Sequence, residues 1–314
     1  AATDAFAMDT GSGSNIPNYD ASFAVDMALR KQPGSTNDWR LTTRLTGKKH
    51  LITNSSDNED SYAAQTFDSN LGWSDDQNDS SHQSWMWKRH AGFDCIVYKG
   101  TGDFHDLPHS LGKKPEMVWV KNRTDDSTPW LVSHKGLNGG TNYMHYYIKL
   151  NENDPETDGS GQGNKKFNTS SDHTSTHIAI GNDSSWTNAS TKYYLCLAFA
   201  SVEGISKVGY YDGTGSSGHS ITTNVGTHAG FQPRFILIKA AHRADGYGGG
   251  WHQFDTLRGI NAGNEYPLTL GSSQADSAMN HLDYIDLDST GFTIQSTSLS
   301  FNGSNARYIY YAHA

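Results

Sequence analysis

The feature that most restricts how this chain can fold is an order of blocks stated more than once. From Phe93 the chain reads CIVYKGTG (95–102), KPEMVWVKNR (114–123), PWLVSHKGL (129–137), HIAIGND (177–183) and KYYLCLAFA (192–200). From Ile205 it reads KVGYYDGTG (207–215), QPRFILIKAAHR (232–243), GWHQFDTLRG (250–259), GFTIQS (291–296) and ARYIYYAHA (306–314). Pro115 and Pro233 open the same strand, Lys121 and Lys239 close it, and Trp130 and Trp251 head the next block. The N-terminal part follows the same plan with GSGSN (11–15), ASFAVDMALRK (21–31), DWRLTTRLTG (38–47) and SSHQSWMWKRH (80–90). We therefore read three copies, 1–92, 93–203 and 204–314, the first shorter by about twenty residues and the most divergent.

Within a copy the signal is β. EMVWVKN and RFILIKA are short runs rich in β-branched and aromatic residues, bounded by Pro and by turn residues, which suits buried strands better than helices. No stretch shows helical periodicity with caps over twelve residues. Hydrophobic residues make up 35% of the chain, yet aromatics reach 11% and there are 32 Gly, so thin β cores with large polar loops are expected. A propeller would need shorter and more numerous repeats. Copies of this length can each close a two-sheet core, and the expected fold is all-β: three tandem β-sandwich repeats of jelly-roll or lectin-like kind. Trp39, Trp130 and Trp251 should fall at equivalent places. Lys121, Lys239, Arg44 and Arg258 are expected to be semi-buried stems that cover aromatic surface, with their charged heads turned toward acidic loop groups.

The set of motifs carries a resemblance. A strand followed by GTG, a PxxVxVKNR strand, a Trp-headed block ending in Gly, a GF-initiated strand and a closing YIYxAxA strand resemble a repeated domain of phage structural proteins. Those proteins are tail-fibre-like or virion-associated, from marine and cyanobacterial phages. The residues that carry it are Gly213, Gly215, Pro233, Ile238, Lys239, Trp251, Arg258, Gly259, Gly291, Phe292 and Tyr308 to Ala312, with Gly100, Gly102, Pro115, Val120, Lys121, Asn122, Arg123 and Trp130 in the middle copy. The resemblance implies a virion surface protein built from lectin-like β domains and implies no catalytic residues. The first copy departs most, with ALRK where the others carry VKNR or IKAAHR.

Charge and composition exclude other classes. A net charge of −9 spread along the chain argues against nucleic acid as a partner. No stretch of about 18 apolar residues is present, so no membrane span is predicted. The opening AATDAFAMDT has neither the basic nor the apolar region of a secretory signal. Cys95 and Cys196 lie in apolar runs and read either as two small buried hydrophobes or as a single disulfide.

Candidate chemistry is sparse. Carboxylates cluster at 57–60, 75–79 and 152–158, in polar loops where they read chiefly as solvated tips; a carboxylate pair could serve glycoside hydrolysis. The acidic stretch 151–164 offers oxygen ligands for Ca²⁺ without EF-hand spacing, so no cofactor is expected beyond a possible calcium ion. Short-spaced His pairs at 105–110 and 171–177 would need the fold to complete a metal site. No nucleophile elbow, HExxH or phosphate loop is present, and the GTG turns introduce no helix. Aromatic residues set among Gly and Asx are better candidates, because flat rings beside amides and carboxylates suit sugar rings. Trp73 in NLGWSDD, Tyr143 in TNYMHYY and Tyr247 in ADGYGGG are the expected surface contacts.

These readings favour a virion surface protein, of tail-fibre or receptor-binding type, that touches host-surface glycan without catalysis. The rivals are a structural decoration or assembly protein and a polysaccharide-degrading enzyme. Expected partners are other virion proteins, host-surface glycan and further copies of the chain, as a trimer or larger homo-oligomer.

Overall fold

The structure is a computed structural model that describes residues 1–168, 170–260, 263–278 and 282–314. It is all-β, with five 3-10 turns and no α-helix among the described residues. In the first segment the strands are β1 (Phe6–Thr10), β2 (Tyr19–Asp20), β3 (Met27–Lys31), β4 (Arg40–Thr43), β5 (Lys49–Ile52), β6 (Asp60–Ser61), β7 (Gly72–Trp73) and β8 (Gln83–Trp87). The second has β9 (Phe93–Lys99), β10 (His105–Pro108), β11 (Met117–Asn122), β12 (Leu131–His134), β13 (Tyr146–Lys149), β14 (Thr157–Asp158), β15 (His177–Ile180) and β16 (Tyr193–Phe199). The third has β17 (Ser206–Asp212), β18 (His219–Thr222), β19 (Phe235–His242), β20 (His252–Asp255), β21 (Leu268–Thr269), β22 (Ile285–Asp288), β23 (Gly291–Ile294) and β24 (Arg307–His313).

Each segment builds one large antiparallel sheet with the same order of strands. The opening strand pairs with the closing one, which pairs with the Lys-ended strand, which pairs with the Trp-headed strand: β1-β8-β3-β4-β5-β6, β9-β16-β11-β12-β13-β14 and β17-β24-β19-β20-β21. A small sheet covers part of the outer face of each large one: β2-β7, β10-β15 and β18-β23-β22. Outer residues of the second sheet, such as Val118, Val120, Tyr194 and Cys196, bury against Phe167, Ile178 and Ile180. This gives the sandwich-like layer anticipated from the strand pattern.

The inner faces pack on one another. Trp39, Trp85 and Trp87 from the first sheet, Trp119, Trp130 and Phe199 from the second, and Phe235, Trp251 and Tyr311 from the third belong to one continuous core. Ring contacts cross all three seams: Trp87 to Phe93 at 6.4 Å, Phe199 to Tyr311 at 5.1 Å and Phe235 to Phe6 at 5.4 Å. Strands buried on both faces read as unbroken apolar runs rather than alternating ones, which is why MVWV and FILI look as they do.

Hydrogen bonds close the ring of sheets. The indole Nε1 of Trp39 donates to Thr269 O (3.0 Å), that of Trp130 to Ile52 O (2.9 Å) and that of Trp251 to Lys149 O (2.9 Å). Each tryptophan sits just before the fourth strand of its sheet order and reaches into a neighbouring segment, so the three bonds form a cycle. The strand-ending lysines repeat the pattern. Lys31, Lys121 and Lys239 are fully buried. Their ammonium groups donate to Ser273 O (2.8 Å), Ser56 O (3.2 Å) and Glu152 O (3.1 Å) respectively, each in another segment. The expectation that Lys121 and Lys239 meet acidic side chains is corrected here. Backbone carbonyls at the seams accept their hydrogen bonds, because three inward-turned loop ends would otherwise leave acceptors unpaired in the interior. The register also aligns Lys31 of ALRK with the other two.

The repeated GTG turn has a local cause. A Cβ on Gly100 would lie 2.2 Å from Ala189 O, and one on Gly213 2.1 Å from Gly303 O, so the turn's first residue has no room for a side chain. The second glycines, Gly102 and Gly215, have φ of +83° and +72°. Their N–H groups donate to the carbonyls of Asn188 and Asn302, both at 2.7 Å. Both cysteines are free and buried. Cys95 points into the shared core and Cys196 into the outer layer, on opposite faces of the second sheet, which removes the disulfide alternative.

Candidate functional site

The three aromatic residues expected at the surface have three different fates. Trp73 is buried, and its assignment as a surface contact is corrected. A Cβ on Gly72 would fall 2.0 Å from Tyr19 O, and this close approach lets β7 lie on β2 as a lid over the first sheet. The Trp73 ring then stacks on Tyr19 at 5.2 Å and on Phe67 at 5.8 Å, with Nε1 donating to Ser84 Oγ at 2.9 Å. Its Gly- and Asp-rich surroundings signal a tight lid rather than an exposed loop. Tyr143 is half-buried: its hydroxyl donates to Asp172, the Lys114 ammonium lies 5.4 Å from its ring, and it lines a shallow cavity with Asn142, His145, Ser170 and Ser171. Tyr247 is 72% exposed at the tip of a loop whose Arg243 and Asp245 form an ion pair. The fold distributes these residues over three segments and does not assemble them into one site.

The best-formed concave site lies over the outer face of β4 and β5 in the first segment. Trp39, Leu41 and Leu51 point into the shared core, so Arg40, His50 and Ile52 face outward. In the second segment the matching outward positions are Leu131 and Tyr147, buried beneath Phe167 and Ile178. There residues 150–192 link the fifth strand of the sheet to the closing strand and cover that half of the face. In the first segment residues 53–82 do the linking, and their lid, β2-β7, lies over β8 and β3 instead. The half-face at β4-β5 is left as a cleft of about 510 Å³.

Its floor is Arg40, His50 and Ile52, and its walls are Asn37, Asp38, Asp57, Asn58, Asp60 and Gln77, with Asp126 contributed by the second segment. The Arg40 guanidinium lies 4.2 Å above the Tyr62 ring, and His50 meets the same ring edge-on at 5.5 Å. Burial, with Arg40 second, pushes the His50 imidazole down to about 4, so it is neutral at physiological pH. Buried Arg40 Nη1 and His50 Nδ1 have no hydrogen-bond partner. Behind the floor, Arg30 and Asp75 form a buried pair at 2.9 Å, and Arg30 Nη1 donates to Gln77 Oε1 at 2.7 Å. This arrangement presents donors (Arg40, carboxamides), acceptors (four carboxylates) and a neutral imidazole from a rigid strand floor. Sequence reasoning missed Arg40, His50 and Tyr62. The signal was present in WRLT, whose outward positions Arg40 and Thr42 are polar, but KHLI shows no such alternation, and both are legible only once the inward face of each strand is known.

The acidic stretch considered for calcium is engaged internally. Lys149 Nζ bonds Glu152 (2.5 Å) and Asp154 (3.2 Å), and Arg307 holds Glu156 (3.1 Å). Among the described residues no three His, Cys, Asp or Glu side chains converge at metal-binding spacing. No helix among them is long and apolar enough to cross a membrane.

The fold and cleft thus define an all-β protein with a polar recess over one sheet. By its match over residues 5–314 the chain belongs to a family described as a domain of unknown function, DUF7483. No curated protein matches it.

Proposed function

We propose that this chain is a phage virion surface protein of the tail-fibre or receptor-binding kind, and that it contacts host-surface glycan by binding alone. The motif resemblance supports the virion setting. The observation that carries the binding reading is the cleft over β4-β5, where hydrogen-bonding groups stand on a strand floor that the shared core holds rigid. A ligand there would be met by preorganised polar groups, which lowers the ordering cost of a weak contact. Several copies in one virion would raise avidity by about 10²–10⁴ over a single contact. We propose such self-association as a trimer or larger assembly; the shared core itself is closed within one chain and requires no partner.

The test is retention of purified host-envelope polysaccharide by the immobilised chain, with reducing ends assayed in parallel. Retention without new reducing ends is expected. Release of reducing ends would establish an enzyme. Binding to other virion chains, with none to polysaccharide, would establish a decoration or assembly protein.

A further inference from the structure

We infer that the cleft over β4-β5 is a site for a neutral, hydroxylated saccharide and that it selects against anionic sugars; the inference rests on the glycan-binding reading above.

Where the second segment places Leu131 and Tyr147 under the apolar layer of Phe167 and Ile178, the first places only the Tyr62 ring and polar loops over Arg40 and His50. Loss of a cover accounts for polar residues at exposed positions. It does not account for polar groups that are both buried and unpaired. His50 is only 7% exposed, and its Nδ1 faces no protein partner. Arg40 Nη1 is likewise buried without an acceptor, although four carboxylates and three carboxamides line the same cleft. Buried polar groups are almost always paired, and each one left unpaired costs about 1–3 kcal/mol. Two such groups stand together on the floor of this recess, and a small rotation of either side chain would present its unpaired nitrogen to an incoming molecule that supplies the bond.

The chemistry of that molecule follows from the walls. The unpaired Arg40 donors seek acceptor oxygens. Neutral His50 accepts at one ring nitrogen and donates at the other. The carboxylates of Asp38, Asp57, Asp60 and Asp126 seek donors. A hydroxyl group both donates and accepts, so a ring of hydroxyls satisfies all three at once. An anion would gain Arg40 and meet four carboxylates; like charges placed together cost several kcal/mol. The volume, about 510 Å³, falls within the range of about 300–1,000 Å³ typical of small-molecule sites.

The experiment is ligand-observed NMR and calorimetry on the whole chain with glucose, galactose and N-acetylglucosamine, and with glucuronate and galacturonate as anionic counterparts. Binding of at least one neutral sugar is expected, with its uronate weaker by about tenfold or more. The His50 ring resonances of the wild-type chain should shift on addition of the neutral sugar. Arg40→Leu and His50→Tyr install the residues that the second segment carries at the matching places, so folding is expected to persist, as checked by melting temperature. Each should weaken binding by about tenfold or more. Absence of binding by every neutral sugar, or a uronate that binds as tightly, overturns the inference. So does unchanged sugar binding in both variants. If envelope polysaccharide is still retained in any of those cases, the broader glycan reading stands and only this site fails. Binding of a neutral sugar at His50 without retention of envelope polysaccharide would leave the site standing and defeat the host-glycan reading.

Discussion

Arg258→Ala removes the cation from a carboxylate that has no access to solvent. Asp255 on β20 is 2% exposed. Its carboxylate accepts from Arg258 Nε (2.8 Å), the Arg258 backbone N–H (2.8 Å), Gln253 Nε2 (2.8 Å) and, across the seam, Trp85 Nε1 (3.2 Å). Arg258 also donates to Gln253 Oε1 at 2.7 Å and lies 5.9 Å from the Trp85 ring. Breaking one side of a buried pair costs about 3–5 kcal/mol, because the remaining charge is left uncompensated. Unfolding entropy near 2.1 cal/mol/K per residue gives roughly 0.66 kcal/mol/K for a chain of 314 residues. The melting temperature should therefore fall by about 5–8 °C. In the wild-type fold burial raises the Asp255 carboxyl and Arg258 opposes it, with the net position below the usual value. Without Arg258 burial prevails and the folded-state value rises. The variant then takes up a proton on folding, so its deficit relative to wild type should shrink as pH falls from 8 to 6. Denaturant titration at both pH values, read by tryptophan fluorescence, measures this. An unchanged midpoint at pH 8, or a deficit that grows toward pH 6, would refute the reasoning.

Acid should unfold the chain well above the carboxylate range. Burial lowers His50, His90, His173 and His252 to about 4 and His134 and His313 to about 3. The unfolded chain binds these protons from about pH 6.5 downward, so stability present above that pH is lost as pH falls, by about 1.4 kcal/mol per unit for each histidine. Glu265, raised to about 7 by burial, works in the opposite sense, as do Asp9, Glu156 and Asp283, which burial also raises, but these four carboxyls are outnumbered by the six histidines. Circular dichroism should place the acid midpoint between about pH 4 and 6; a fold intact at pH 3 would contradict this. Trp130→Phe, which removes the donor to Ile52 O, should cost about 1–2 kcal/mol by denaturant titration, in one transition for the whole chain. Gly213→Ala brings a Cβ to 2.1 Å from Gly303 O and should cost about 2–3 kcal/mol, whereas Gly34→Ala, with nothing within 4 Å, should leave the melting curve in place.

Much of the fold is legible in the sequence because it is local. The ordered blocks announce each strand, its neighbours and the tight GTG turns, and the three matched tryptophans hold equivalent places. The shared core is less legible, because an apolar run such as MVWV reports burial on both faces without naming what buries each. The lysines illustrate the same limit: a charge at a strand end reads as a half-buried stem with its head among acidic loops until a neighbouring segment brings carbonyls over it. Trp73 failed as a surface contact because a Gly-rich stretch can be either an exposed loop or a close-packed lid, and the difference lies in Tyr19, far away in sequence. Arg40 and His50 went unnoticed because their importance comes from the lack of an apolar outer layer over them, which no local motif records. The shortness of the first copy was the visible sign of it.

The central claim is that one core serves all three sheets and holds the β4-β5 floor in place. Expression of residues 93–314 alone tests it most directly. Without the first segment, the fragment exposes the inner surface that Phe6, Trp39, Trp85 and Trp87 cover, and it leaves two of the three tryptophan bonds without a partner. The account predicts a fragment with weak near-ultraviolet circular dichroism and no cooperative thermal transition. A monomeric fragment with a sharp transition and well-dispersed NMR resonances would show that the sheets stand independently, and would contradict it.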